Sequence, residues 1–402
     1  MRWNEEGGRP FWLVFAVLVG GGLVLSAQSW RQEDPQKLWD QGEADLTAGR
    51  FAAAEAVIQR LAKLRAPTPH DQMLRAQVSL ARERPAEALQ ALSLIPDSSA
   101  VAPQARLLAG QIELRRGRLA SAEKQLNEAV RIEPKLVQAH RELIYIYGML
   151  LRRQPLNREF RTLSELTPLT FDNMFHWTLT RSTVWEPREL RSDLERFLKA
   201  EPTDRSSRLA LAECLRRLGQ RDEADATLAP VPDSEPEARA IRVRLALDRG
   251  DDLRAEALLK EGPQNVSELA QLRGKLALAR GDTEAALREF QRAYAAEPDN
   301  RDTLSGLAGA YKRLGRDEEA APFLKAVRAQ DVLASLMTRA AIKGASDDLK
   351  LIAELGAVNE TLGRLHEARG WYQLVIARDP LNTEAQHAIF RIKAKLAKGA
   401  AS

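Results

Sequence analysis

Gly281 to Pro298 reads GDTEAALREFQRAYAAEP, and its spacing decides the fold. Ala286, Phe290 and Ala293 fall at i, i+4 and i+7, so small, large and small apolar groups share one face of a helix. A glycine turn opens the segment and a proline closes it. Such a face needs a neighbour, and Leu269 to Arg280 supplies one. There Leu272, Lys275, Leu276 and Ala279 run at helical spacing, and Gly274 permits close backbone approach. The unit is a helical hairpin.

Working outward, the chain has 402 residues, more than one usual core holds, so several domains or a repeat array is expected. Apolar residues make up 44% and aromatic residues only 5%, a balance of strong helix formers that predicts an all-α protein. Sixty Lys and Arg against 56 Asp and Glu leave a net charge of +4, with the signs interspersed. That describes solvated helix faces and not a stripe for nucleic acid, which needs clustered cations. A single cysteine, Cys214, excludes an internal disulfide and any zinc site built on cysteine pairs.

The turn recurs. Steps of 34 from Gly49 land on Glu83, Gly117, Leu151, Trp185 and Gly219. The next turns are Gly250 and Gly281, each after 31, then Gly315 after 34 and Gly363 after 48, which is 34 plus an insertion of 14. Short steps coincide with the proline-rich exits Pro230, Pro232 and Pro236, and Gly262-Pro263, which truncate the second helix.

With that period the chain resembles the tetratricopeptide-repeat family. Family repeats place a small residue seven before the turn, alanine five after it, a large apolar residue nine after it and proline seventeen after it. Gly110, Gly117, Ala122, Leu126 and Pro134 satisfy this, as do Gly274, Gly281, Ala286, Phe290 and Pro298. Ala308, Tyr311, Gly315, Ala320 and Leu324 follow it, and so do Gly356, Gly363, Ala368, Tyr372 and Pro380. The resemblance implies an all-α, right-handed superhelical solenoid of about ten hairpins over 35–381, with the insertion near 329–348. A capping helix and tail over 382–402 is expected to carry Ala385, Ile389, Ile392 and Leu396 inward.

Repeats four and five depart from the pattern. Leu156 and Leu190 replace the small packing residues, and Tyr145, Tyr147, Phe160, Phe171, Phe175, His176, Trp177 and Trp185 concentrate there. Two readings stand: a locally bulkier core, or a widened groove with aromatic anchors for a partner. The insertion Val327 to Lys350 predicts a prolonged second helix ending near Gly344, packed on its neighbour or protruding as a docking ridge. The next helix is expected to open at Ser346.

Ahead of the repeats, a short tail over 1–10 precedes Phe11 to Ala27, 17 residues without a charge. That is near the lower limit for spanning a bilayer. With Trp3, Trp12 and Trp30 flanking it as membrane-interface aromatics, 11–29 is read as a transmembrane anchor. Ala27-Gln28-Ser29 leaves the alternative of a cleaved signal peptide.

No phosphate loop, no paired-histidine metal motif and no nucleophile elbow occurs, and the five histidines lie in different segments. Neither an enzyme nor a cofactor is expected. The family's role implies a scaffold whose concave face binds protein partners or peptide segments. Phase selects Gln104, Gln111, Gln138, Arg141, Tyr145, Glu213, Arg216, Arg244, Lys275 and Lys312 for that face, with Phe175 and Trp177 as aromatic candidates. The family's clamp for a terminal carboxylate needs an asparagine pattern that this chain lacks. The leading expectation is a single-pass protein of a bacterial inner membrane with extracytoplasmic repeats, oligomeric state unassigned. The alternative is a secreted or periplasmic protein binding envelope polymers or glycans.

Overall fold

Left-handed backbone recurs where the period placed the turns. In the computed structural model, which describes residues 34–182 and 187–399, φ is positive at Gly49, Gly117, Gly219, Gly250, Gly281, Gly315 and Gly363, and also at Glu83 (60°) and Leu151 (56°). Each turn closes one antiparallel helix pair, and the left-handed residue is what reverses the chain in so few positions. Glu83 and Leu151 hold this conformation without glycine's freedom. Trp185, the apolar run Phe11–Ala27 and the tryptophans Trp3, Trp12 and Trp30 lie outside the described residues.

Among the described residues the chain forms α-helices and one short 3-10 turn, without strands. They fall into two compact units, Met1–Ala105 and Arg106–Ser402. The first contains α1 (Pro35–Thr47), α2 (Phe51–Leu64), α3 (Pro69–Ala81) and α4 (Pro85–Ser93), followed by α5 (Ala102–Arg115). Thr68 caps α3 through a reciprocal box with Asp71, whose carboxylate also pairs with Arg65. A cavity of about 30 Å³ lined by Ile58, Leu61, Pro67, Asp71 and Arg75 has room for a single water.

The second unit continues with α6 (Leu119–Ile132), α7 (Val137–Met149), α8 (Arg153–Leu166), α9 (Phe171–Ser182), α10 (Pro187–Ala200), α11 (Arg205–Arg217) and α12 (Arg221–Leu228). It then runs through α13 (Pro236–Asp248), α14 (Asp252–Glu261), α15 (Ser267–Ala279), α16 (Thr283–Ala296) and α17 (Arg301–Arg313). It ends with α18 (Asp317–Ala340), α19 (Leu349–Thr361), α20 (Leu365–Arg378) and α21 (Thr383–Gly399).

The packing rule read from Gly281 to Pro298 is a knob in a notch. A Cβ on Gly274 would stand 2.8 Å from the Cδ1 edge of the Phe290 ring, and one on Gly306 would stand 2.4 Å from the ring's Cζ tip. Phe290 is therefore clamped between the first helices of its own hairpin and the next. Gly110 receives Leu126, and Gly356 receives Tyr372, in the same way. Leu156 and Leu190, which replace the small residue in repeats four and five, are both buried.

Truncated second helices leave carbonyls without intrahelical partners. Helices α12 and α14 have only 8 and 10 residues, and arginines of the following first helices cap their ends. Arg242 donates to the carbonyls of Leu228 at 2.8 Å and Val231 at 2.6 Å. Arg273 donates to those of Leu259 and Gly262, each at 2.8 Å, and Pro263 at 3.2 Å.

One expectation of a simple solenoid fails. Hairpins that touch only their neighbours would leave α9 without distant contacts, yet α9 packs against α18 and α20. Met174 fills a notch at Gly370, where a Cβ would stand 2.5 Å from its sulfur. The Phe171 and Trp371 rings meet edge to face with centroids 5.5 Å apart. The Trp371 indole N–H reaches the Thr178 hydroxyl, and Arg369 reaches that of Ser164 at 3.3 Å. Repeats four and five thus close onto repeats nine and ten, within one hydrophobic core running from Leu119 to Ile392.

The insertion serves that closure. Helix α18 is 24 residues long and buries Leu333, Leu336 and Met337 while touching α9 and α19, so these residues form packing surface and not a ridge. The helix ends at Ala340, and the following Gly344 adopts φ 88°. Ser346, expected to open the next helix, sits in the 3-10 turn Ala345–Asp347; Asp348 is the cap, accepting from the Leu351 amide at 2.9 Å.

Candidate functional site

The first helices of repeats six to nine carry a row of interlocked charges. On α11, Glu213 accepts from Arg216 at 2.9 Å and from Arg217 at 2.6 Å. Arg244 of α13 lies 3.4 Å from the same carboxylate and pairs on its other side with Glu268 of α15. Burial alone would raise the Glu213 pKa, but Arg244, Arg216 and Arg217 outweigh it and bring it to about 2. Arg216 also reaches Asp248 of α13 at 2.6 Å, and Lys275 of α15 reaches Asp302 of α17 at 2.5 Å. Glu213, Arg216, Arg244 and Lys275, selected by phase, are thus linked helix to helix across the row.

Residues that phase did not select complete it. Arg153 and Gln154 open α8, and Gln154 donates to Glu297 at 3.1 Å, a carboxylate that Ser267 of α15 also holds. The start of α8 therefore stands over the first helices of repeats eight and nine. Arg153 is exposed to solvent, yet desolvation by the surrounding helix ends, followed by the charge of Arg217, lowers its pKa, and Glu297, Glu268 and Asp302 oppose that only in part. Arg153 begins a second helix, so a reading confined to the faces of first helices passes over it. Its position two residues after the Leu151 turn was the available signal.

A second group gathers on α7. Gln111 and Gln138 both donate to Glu142, at 3.1 and 2.8 Å. Arg141 is exposed, and Tyr145 is half-buried with its pKa raised by burial and by Asp193 of α10. His140 braces this helix from behind: its Nδ1 lies 2.6 Å from Glu159 of α8 and its Nε2 2.9 Å from the Pro134 carbonyl. Both nitrogens face acceptors, an arrangement that favours the doubly protonated ring, and the Glu159 bond raises its pKa.

The remaining candidates stand apart. Gln104 is exposed on α5 within the first unit, and Lys312 is exposed on α17. Trp177 is fully buried, stacked on Phe160 at 5.4 Å and donating to Asn157, and Phe175 is buried beside Phe171. Their rings pack the core; they are not presented to a partner. Among the described residues no three His, Cys, Asp or Glu side chains converge as metal ligands. Cys214 is buried, and desolvation pushes its thiol to about 11.

Two family models, both described as tetratricopeptide repeat, match the chain, one over residues 191–246 and 277–339, the other over 40–101 and 97–136. The chain belongs to the tetratricopeptide-repeat family. The array is similar to a tetratricopeptide repeat protein from Parabacteroides merdae, at 17% identity and a TM-score of 0.32, over 60% of this chain and 98% of that one. It is also similar to the Cut9–Hcn1 hetero-tetramer of the APC/C, at 14% identity and a TM-score of 0.38, over 89% and 76%. A third likeness is to the C-terminal part of a repeat protein from Cytophaga hutchinsonii, at 13% identity and a TM-score of 0.31, over 67% and 99%. No curated protein matches this tetratricopeptide chain.

Proposed function

We propose that this chain is a scaffold that holds a protein partner along the first-helix face of its second unit, beside a membrane to which Phe11–Ala27 anchors it. Tetratricopeptide repeats support the scaffold role, and the charged row from Glu213 to Asp302 carries the reading. Its arginines and carboxylates are largely paired with one another. The surface is therefore polar and pre-organised, suited to a segment recognised by hydrogen bonds. Arg141 and Lys312 are exposed on the first helices α7 and α17, within reach of whatever lies there. No catalytic role is assigned to any residue.

Photo-cross-linking side chains placed at Arg141 and Lys312 in cells test the face. A defined protein captured from both, and not from the outward Arg288 of α16, supports the reading; a carbohydrate adduct, or no adduct, overturns it. No described helix is long and apolar enough to cross a membrane, so the anchor rests on residues 11–29. Retention in the membrane fraction after an alkaline wash, with the intact mass of the uncleaved chain, supports it, and a processed soluble product removes it.

A further inference from the structure

The last helix is apolar on two opposite sides. Toward α20, helix α21 buries Ala385, Ala388 and Ile392. At about 100° per residue, the diametrically opposite stripe holds Phe390, Ala394 and Ala397, spaced i, i+4 and i+7, and all three are exposed. Phe390 has 77% of its surface in solvent, and Leu381, in the turn before the helix, has 84%. A helix that ends a repeat array is expected to show solvent a polar outer face. This one shows an aromatic ring.

Charge says what covers it. Between Ala385 and Lys398 stand Arg391, Lys393, Lys395 and Lys398 and no acid. Arg391 and Lys395 are tied to Glu360 of α19, at 2.8 and 2.9 Å. Lys393 and Lys398 are exposed, make no ion pair among the described residues, and flank the Phe390 stripe on either side. A second copy of the helix would bring like charges together. An apolar stripe between lysines matches instead a bilayer surface of anionic lipid, where the ring enters the headgroup boundary and the ammonium groups meet phosphate and carboxylate. We propose that α21 docks on anionic membrane through Phe390, with Lys393 and Lys398 as its electrostatic contacts. The contact uses residues other than those of the partner face.

The test uses the full chain with an environment-sensitive fluorophore on Ala394→Cys. Cys214 is buried with its thiol pushed up to about 11, so the added cysteine is the one labelled. Mixing with phosphatidylcholine vesicles containing phosphatidylserine should shift the emission to the blue, and pure phosphatidylcholine should not. Lys393→Gln and Lys398→Gln should each weaken the response about fivefold, and Phe390→Ser should abolish it. All three positions are exposed, so the melting temperature should stay unchanged. No shift with anionic vesicles, an equal shift with neutral ones, or a shift indifferent to these substitutions overturns the proposal. A shift produced by an acidic protein in place of vesicles overturns it as well. Each result is read at α21, so its failure is distinguishable from failure of cross-linking at Arg141 and Lys312.

Discussion

The indole N–H of Trp371 donates to the Thr178 hydroxyl at 3.1 Å, although 193 positions separate the two residues. Both side chains are fully buried, so this bond and the Met174–Gly370 contact beside it tie repeat five directly to repeat ten, and the repeats between them should unfold as one body. Trp371→Ala should cost about 3–5 kcal/mol, and Thr178→Val, which strands a buried N–H, about 1–3 kcal/mol. Amide hydrogen exchange gives the decisive reading. Both substitutions should release protection in α9 as well as in α20, whereas loss confined to α20 would show that the closure carries no coupling.

His140 predicts a pH dependence with a definite sign. Its two acceptors favour the imidazolium, and the Glu159 bond raises its pKa above the ordinary 6.5. A raised folded value means that the stabilisation is complete below pH 6.5 and is lost as pH climbs through the folded pKa. Urea unfolding of the native chain should show a decline through that window, and His140→Gln should flatten it. An identical slope in the variant would assign the decline to another group.

The arginine caps can be tested by geometry as well as charge. Arg273→Ala leaves the carbonyls of Leu259, Gly262 and Pro263 without their donor and should cost about 1–3 kcal/mol. Arg273→Lys keeps the charge but loses the planar fork that reaches three oxygens, so it should recover little. Full recovery by lysine, measured as the shift in denaturation midpoint, would favour a purely electrostatic role.

Two glycines of α17 should respond to alanine with opposite signs. At Gly309 a Cβ meets nothing within 4 Å, so Gly309→Ala should stabilise by up to about 1 kcal/mol through helix propensity. At Gly306 a Cβ presses on the tip of the Phe290 ring, whose edge is already held at Gly274, so overpacking of about 1–3 kcal/mol should exceed that gain. Phe290→Leu should relieve Gly306→Ala in a double-mutant cycle, and strictly additive effects would sink the clamp.

What was legible follows from what repeats. A left-handed residue stands at every hairpin turn among the described residues, so counting from Gly49 located even Glu83 and Leu151, where no glycine marks the place. Knob and notch recur at fixed offsets, which made Gly274 and Phe290 readable as partners. Closure does not recur. The spacing around Trp177 and Trp371 shows that each belongs to an apolar face, but periodicity does not say what covers a face 193 positions away. The charged row was half legible for the same reason. Glu213, Arg216, Arg244 and Lys275 share a phase, whereas Arg153 enters from a different helix of the hairpin and is placed by the tertiary fold alone.

The contact between α9 and α20 also bears on how such a chain can change by inheritance. An array open at both ends tolerates the gain or loss of a repeat by recombination, since each copy needs only its immediate neighbours. Here the number of repeats between Thr178 and Trp371 sets whether the two meet. Deleting or duplicating a hairpin in that interval would separate them, while the repeats before it carry no such restriction from this bond. Copy number between repeats five and ten is therefore held by the contacts of α9 with α18 and α20, and divergence there should proceed by substitution within repeats and not by change in their count.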